Sequence, residues 1–240
     1  MTDGWDGSAA AWIASQGEHG DYARRVVLDR PMLDRVGLRP VGRALDVGCG
    51  EGRFCRMLAE RGIAVTGIDP TEAFIAHARS RHPEGDYRIG RAEALDFADG
   101  TFDLVVSYLT LIDIPDIGRA IPEMARVLAP GGRLLIANLT SFITASPDMG
   151  WQRGEDGTRQ IFRIDDASDE IVRWTEWDGI RIRNWHRPLS RYMSLLLAQG
   201  LILRHFDEPQ PQGGDSERAA LYRRVPWFLV MEWEKPAASC

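Results

Sequence analysis

Three cysteines, Cys49, Cys55 and Cys240, are too few for a disulfide framework, and they share no metal-ligand spacing with the five histidines. That argues against a disulfide-stapled scaffold and against a metal centre, and it fits a reducing cytosol. No run of Lys or Arg forms a basic stripe; net charge is −6 and the pI is about 5.4. Phosphate-rich partners would have to overcome repulsion, so nucleic acid is not the expected substrate. No stretch approaches about 18 apolar residues, and the start of the chain is polar and acidic (Thr2, Asp3, Asp6) rather than charged and then apolar. The expectation is a soluble, cytoplasmic protein without a membrane span. Internal repeats and low-complexity tracts are also missing. At 240 residues the chain suffices for one α/β domain with an appended cap, but is short for two full domains.

What is present begins with Leu45-Asp46-Val47-Gly48-Cys49-Gly50-Glu51-Gly52-Arg53-Phe54, a short apolar strand running through a glycine turn into a helix. Without Cβ atoms the turn is tight, and its backbone can approach a ligand closely. Phe54, Met57, Leu58 and Ile63 continue it as a helical apolar stripe. A dinucleotide fingerprint would need glycine at position 53, where Arg53 stands. Acid-x-Gly-x-Gly-x-Gly instead resembles motif I of the class I S-adenosylmethionine-dependent methyltransferases, of the methyltransferase type 11 kind that acts on small molecules. The resemblance implies that Asp46, Gly48, Cys49 and Gly50 hold the methionine part of the donor.

Ile63 to Pro70 reads as a second buried strand ending in Asp69, placed to accept both ribose hydroxyls beside Pro70. Asp69-Pro70-Thr71-Glu72 would equally start a helix. Tyr87 to Phe97 resembles the family's adenine segment. Arg91 stands where relatives carry an Asp, so the adenine role passes to the Ala92 amide and to Glu93, which reads equally as a surface acid. Thr101 to Ser107 is the fourth strand, and ligands of open α/β sheets sit beyond such carboxyl ends, which places Ser107 and Tyr108 toward the transferring methyl. Asp113, where many relatives have His, reads either as a general base or as a helix cap. A helix over Ile117 to Leu128, a stop at Ala129-Pro130-Gly131-Gly132 and a fifth strand over Arg133 to Asn138 complete the alternation. This pattern specifies a doubly wound, mostly parallel sheet of the Rossmann-like methyltransferase type, seven strands by resemblance.

Before this core, Trp5 to Tyr22 and the segment leading to a break at Asp29-Arg30-Pro31 suggest helices, either packed on the sheet or closing as a lid. The resemblance puts Tyr22 near the donor carboxylate. After it, Arg159 to Ile164, Ile171 to Trp177 and Ile180 to His186 alternate, with Asp178-Gly179 at a type I′ turn. They read as one small antiparallel cap inserted after the fifth strand, its aromatics either a substrate wall, with Trp174 and Trp185 as candidates, or simply core. His186-Arg187-Pro188 closes the insertion, and His186 reads as a base or as structural. Leu201 to Phe206 and Trp227 to Trp233 are closing strands, joined by a surface connection over Pro209 to Arg218. The resulting division is a lid (1–40), a donor-binding core (41–138), a cap (139–186) and a closing helix and hairpin (187–240).

The resemblance implies an S-adenosylmethionine-dependent methyltransferase that modifies O, N or C of a small organic molecule and yields S-adenosylhomocysteine. Attack of an anion on a sulfonium dissipates opposite charges, so an apolar pocket does not oppose it, and alignment is the main requirement. For a hydroxyl acceptor, His186 is the first candidate base and Asp113 the second. The expected partners are the acceptor and a second copy of the chain, with neither nucleic acid nor membrane. A non-catalytic S-adenosylmethionine-binding subunit and an NAD-linked oxidoreductase remain as alternatives.

Overall fold

The computed structural model describes residues 3–147, 150–154 and 160–237; Cys240 lies outside them. Six strands pointing one way and one, β11, pointing against them form one seven-stranded sheet in the order β10-β11-β5-β4-β1-β2-β3. Its members are β1 (Arg43–Val47), β2 (Ala64–Asp69), β3 (Asp86–Ile89), β4 (Phe102–Tyr108), β5 (Leu128–Leu139), β10 (Ile202–Asp207) and β11 (Phe228–Glu234). β1 pairs in parallel with both β2 and β4, and β11 runs antiparallel between β5 and β10. The chain order reverses at β1 and β4, so this is the switch point beyond whose carboxyl ends a ligand site opens.

Helices cover both faces because the central strands alternate between two apolar sides. On β4, Leu104, Val106 and Tyr108 join a cluster with α2 (Asp29–Gly37) and α3 (Arg53–Ala59). Val105 faces the other way, into a cluster with α5 (Ile117–Val127) and α7 (Leu189–Ala198). Helix α1 (Trp5–Gln16) crosses α4 (Glu72–Arg81), and a π turn at Arg24–Leu28 runs straight into α2. The expected break at Asp29-Arg30-Pro31 is therefore absent. Pro31 falls near the start of α2, where its fixed φ suits the helix.

Beyond β5 lie α6 (Ser141–Thr144), the short pair β6 (Gln152–Arg153) and β7 (Gln160–Ile161), and a longer ribbon, β8 (Ile171–Trp177) with β9 (Ile180–His186). The insertion thus forms two separate ribbons instead of one three-stranded cap. Ile161 and Ile164 are exposed, so the alternation there has no core to face, and Arg159 lies outside the described residues. Asp178 (φ 45°) and Gly179 (φ 79°) both take the positive φ of a type I′ turn. Inside the expected connection before β11, α8 (Ser216–Arg224) begins, because the Asp215 side chain accepts from the Arg218 N–H at 2.8 Å and caps it. Among the described residues no helix is long and apolar enough to cross a membrane.

Candidate active site

The glycine turn between β1 and α3 is held from below. Gly48 and Cys49 both donate to the Ile68 carbonyl, at 2.8 and 2.9 Å. Gly48 has φ +73°, and a Cβ there would lie 2.1 Å from Thr110 Cγ2, so only glycine fits. Gly50, at φ +53°, has no atom within 4 Å of the position a Cβ would take; its open side faces the cavity that this loop lines.

Asp69 ties the loop to the next element. Its Oδ2 accepts from Gly50 N at 3.0 Å and its Oδ1 from Thr71 N at 2.9 Å. It anchors the start of α4 and also lines the cavity. Desolvation raises its carboxyl to about 6 despite those bonds. Asp46 is more completely enclosed. Its Oδ2 accepts from Cys55 Sγ at 3.3 Å, while its buried Oδ1 has no partner among the described residues. Burial raises this carboxyl to about 7. An unpaired buried carboxylate oxygen is costly unless a cation meets it.

Past β4 the chain turns through Leu109, a non-glycine residue at φ 58°, and this strained turn brings Thr110, Ile112 and Asp113 under the cavity. Asn184 of β9 donates from Nδ2 to Asp113 Oδ1. Asp113 is half-buried and lines the cavity. Desolvation holds its carboxyl well above the usual carboxylate range; Asp3 and Asp69 add to the rise and the Asn184 bond and Arg24 oppose it.

These elements enclose one cavity of about 790 Å³, within the range of small-molecule sites. Asp46, Gly48, Cys49, Gly50, Asp69, Pro70, Ala92 and Glu93 line it, as do Tyr22, Tyr108 and Asp113. Tyr108 donates to Asp29 Oδ1 at 2.9 Å, and Arg53 grips the same carboxylate. Burial and the Asp29 charge push the Tyr108 phenol far up, which makes it a wall and a donor rather than a base.

Four expected positions fall elsewhere. Ser107 is fully buried on the Val105 side of β4, one residue short of the turn that reaches the cavity. Trp174 and Trp185 lie on the outer face of the β8–β9 ribbon. Period-two alternation sends Ile180, Ile182 and Asn184 inward, so Arg181, Arg183 and Trp185 point out, and Trp174 pairs with Arg183. Trp174 stays half-exposed under Arg181. His186 has the inward parity but sits at the end of the ribbon far from its turn, outside the cavity lining. Its Nε2–H donates to the Ala167 carbonyl at 3.2 Å, which leaves Nδ1 to accept from Thr144 Oγ1 at 2.7 Å. The one lone pair of the neutral ring is thus occupied, and the placement corrects the expectation of a base. His186→Ala is expected to lower stability by about 1–3 kcal/mol while turnover stays within a few-fold. A loss of roughly 10²-fold or more in turnover at unchanged melting temperature would restore the base role.

Sequence reasoning did not single out Asn184, and it offered a lid over Trp5 to Tyr22 and a wall of ribbon aromatics without joining Trp5, Trp12 and Trp177 into one cover. Trp5 meets Trp12 at 5.3 Å and Phe74 of α4 at 5.6 Å, and Trp12 meets Trp177 at 6.4 Å. The parity of Ile180 and Ile182 was a readable signal for Asn184. No local pattern pointed to that joining, since its members come from two distant elements, α1 and β8.

The cradle suits a ligand with a cationic amine and a diol. Asp46 brings an unpaired buried oxygen and Asp69 a carboxylate to one cavity. Residues 45–136 match the family described as Methyltransferase domain. Over that segment the chain resembles the class I S-adenosylmethionine-dependent methyltransferases. It is 36% identical over 112 residues to a demethylmenaquinone methyltransferase of Beutenbergia cavernae, covering 47% of each chain. It is 33% identical over 149 residues to a malonyl-[acyl-carrier protein] O-methyltransferase of Pectobacterium atrosepticum, covering 60% of this chain and 58% of the other. The chain thus spans about half the length of the curated relatives it matches. A crystal structure of an S-adenosylmethionine-dependent methyltransferase from Mesorhizobium loti superposes with TM-score 0.73 at 28% identity, over 83% of this chain and 94% of that one.

Proposed function

We propose that this protein transfers a methyl group from S-adenosylmethionine to a hydroxyl of a small organic molecule in the cytoplasm, with Asp113 as the general base. The observation that carries the reading is the meeting, in one cavity, of the Asp46 and Asp69 cradle with a desolvated carboxylate from the β4 turn. Bound S-adenosylmethionine supplies a methyl already activated on a sulfonium. Asp46 would hold the ammonium of its methionine part, Asp69 its ribose, and the Ala92 amide with Glu93 the adenine edge. Asn184 positions Asp113, whose raised basicity suits it to take the acceptor's hydroxyl proton near neutral pH as the oxygen attacks. Trp5, Trp12 and Trp177 exclude water from the reacting centre. Acidic charge, a cavity of this size and the names of the similar enzymes all support a small acceptor over nucleic acid.

Thermal unfolding with S-adenosylmethionine, S-adenosylhomocysteine and NADH tests this. A ligand at 100 times its dissociation constant stabilises by about 2.7 kcal/mol, which is roughly 5 to 10 °C for a chain of this size. A rise with the two sulfur nucleosides and none with NADH is expected. Stabilisation by NADH alone would overturn the reading.

A further inference from the structure

The cavity has two chemically different ends. Its inner end carries Asp46, Asp69 and Asp113. Its mouth is an aromatic wall: the Tyr222 and Trp227 rings stack at 4.7 Å and 23°, and Tyr22 lies 5.8 Å from Tyr222. Two cations border that wall. The Arg218 guanidinium sits 4.2 Å over the Tyr22 ring, and Arg25 lines the same opening from the π turn. Two hydrogen bonds bring their elements together, from Tyr22 Oη to the Asp215 carbonyl at 3.3 Å and from Gln212 N to the Val26 carbonyl at 2.8 Å.

These two arginines differ from their neighbours. Arg24 is paired with Asp21, and Arg53 with Asp29. Among the described residues, neither Arg25 nor Arg218 has a carboxylate within ion-pair distance, although the chain carries a net charge of −6. The side chain of Asp215, the nearest acid in sequence to Arg218, accepts from the backbone N–H of that residue instead. Uncompensated guanidiniums beside stacked rings recognise an anion attached to a flat apolar body, by charge-assisted hydrogen bonds on one part and ring stacking on the other.

We infer that the acceptor of the proposed methyl transfer, a reading on which this inference rests, is an aromatic carboxylate whose ring lies against Tyr222 and Trp227 and whose carboxylate is held by Arg25 and Arg218. The polarity of the cavity then sets orientation. A carboxylate is repelled from the inner aspartates and drawn to the mouth, which directs the opposite end of the molecule, with its hydroxyl, inward toward Asp113. An amine acceptor would be attracted the other way, and a neutral ring would gain nothing from the two arginines.

The test is calorimetric binding to the full chain saturated with S-adenosylhomocysteine. The probes are 4-hydroxyphenylacetate, its neutral amide, and cyclohexylacetate as an acid without an aromatic ring. The aromatic acid should bind about tenfold or more tighter than the amide, and also tighter than the cyclohexyl acid. In Arg25→Ala/Arg218→Ala that preference over the amide should vanish with amide binding unchanged, and Arg25→Lys/Arg218→Lys should restore part of it. Equal binding of acid and amide, a preference that survives the double alanine variant, an equal affinity for the cyclohexyl acid, or no binding of the aromatic acid at millimolar concentration would each overturn the inference. If S-adenosylhomocysteine itself fails to bind, the methyl-transfer reading falls first, which separates the two failures.

Discussion

Asp46→Asn should weaken S-adenosylmethionine binding by roughly 30-fold or more, and at pH 8 it should make the ligand-free protein more stable. Both effects come from one buried, unpaired oxygen. A carboxylate raised from 3.8 to about 7 by burial is held in the folded state against its own desolvation. The sign follows from linkage. Below pH 4 the carboxyl is protonated folded or unfolded, so it adds no penalty. Between pH 4 and 7 the unfolded chain releases a proton that the folded one keeps, so stability falls as pH rises and the full penalty is present above 7. That penalty is on the order of 4 kcal/mol, and burying an amide in its place takes back part. A net rise of roughly 3 to 6 °C in Tm at pH 8, with little change near pH 4.5, is the expected result. In the unaltered protein the same proton competes with the ligand's cation, so the dissociation constant should be about 20-fold larger at pH 5.5 than at pH 7.5, and Asp46→Asn should flatten most of that slope. Isothermal titration at the two pH values decides it. A pH-independent affinity in the unaltered protein would remove Asp46 from the ammonium site.

Asp113→Asn should reduce turnover by about 10² to 10⁴-fold while the S-adenosylmethionine dissociation constant stays within about threefold. The amide keeps the shape and a hydrogen bond with Asn184 but cannot accept the acceptor's proton. Because burial holds Asp113 well above the usual carboxylate range, the base form is populated only as pH rises, and kcat should climb with pH through a limb displaced upward from that range. Asn184→Ala removes the bond that favours the ionised form, so it should shift that limb further up. A merely structural Asn184 would change the plateau and leave the limb in place. Turnover of Asp113→Asn within a few-fold of the unaltered protein would show that the acceptor ionises without this base.

The core of the fold was legible because its signals are local and periodic. Gly48, Gly50 and Gly52 mark a turn that larger side chains cannot make, and the apolar runs ending at Val47, Asp69 and Ser107 read as buried parallel strands. The Asp178-Gly179 turn was readable for the same reason, since it depends on two adjacent backbone conformations. Placement of the cap side chains was only half legible. Parity along β9 separates Asn184 from Trp185, and it required counting from Ile180 rather than weighing residue types.

Other features depend on contacts between distant segments. The sequence ranked His186 ahead of Asp113 as a candidate base; Thr144 and Ala167 occupy the first, while burial beside Asn184 raises the second. Arg25 and Arg218 are separated by most of the chain, yet the pairing of the π turn with the segment before α8 sets them on one mouth. By itself the sequence determined the class of sheet, the glycine cradle and the acids at its strand ends, because backbone sterics and hydrophobic periodicity act over a few residues. Tertiary structure alone decided which polar groups are desolvated, partnered or left open, because those states depend on what packs around a side chain from elsewhere in the chain.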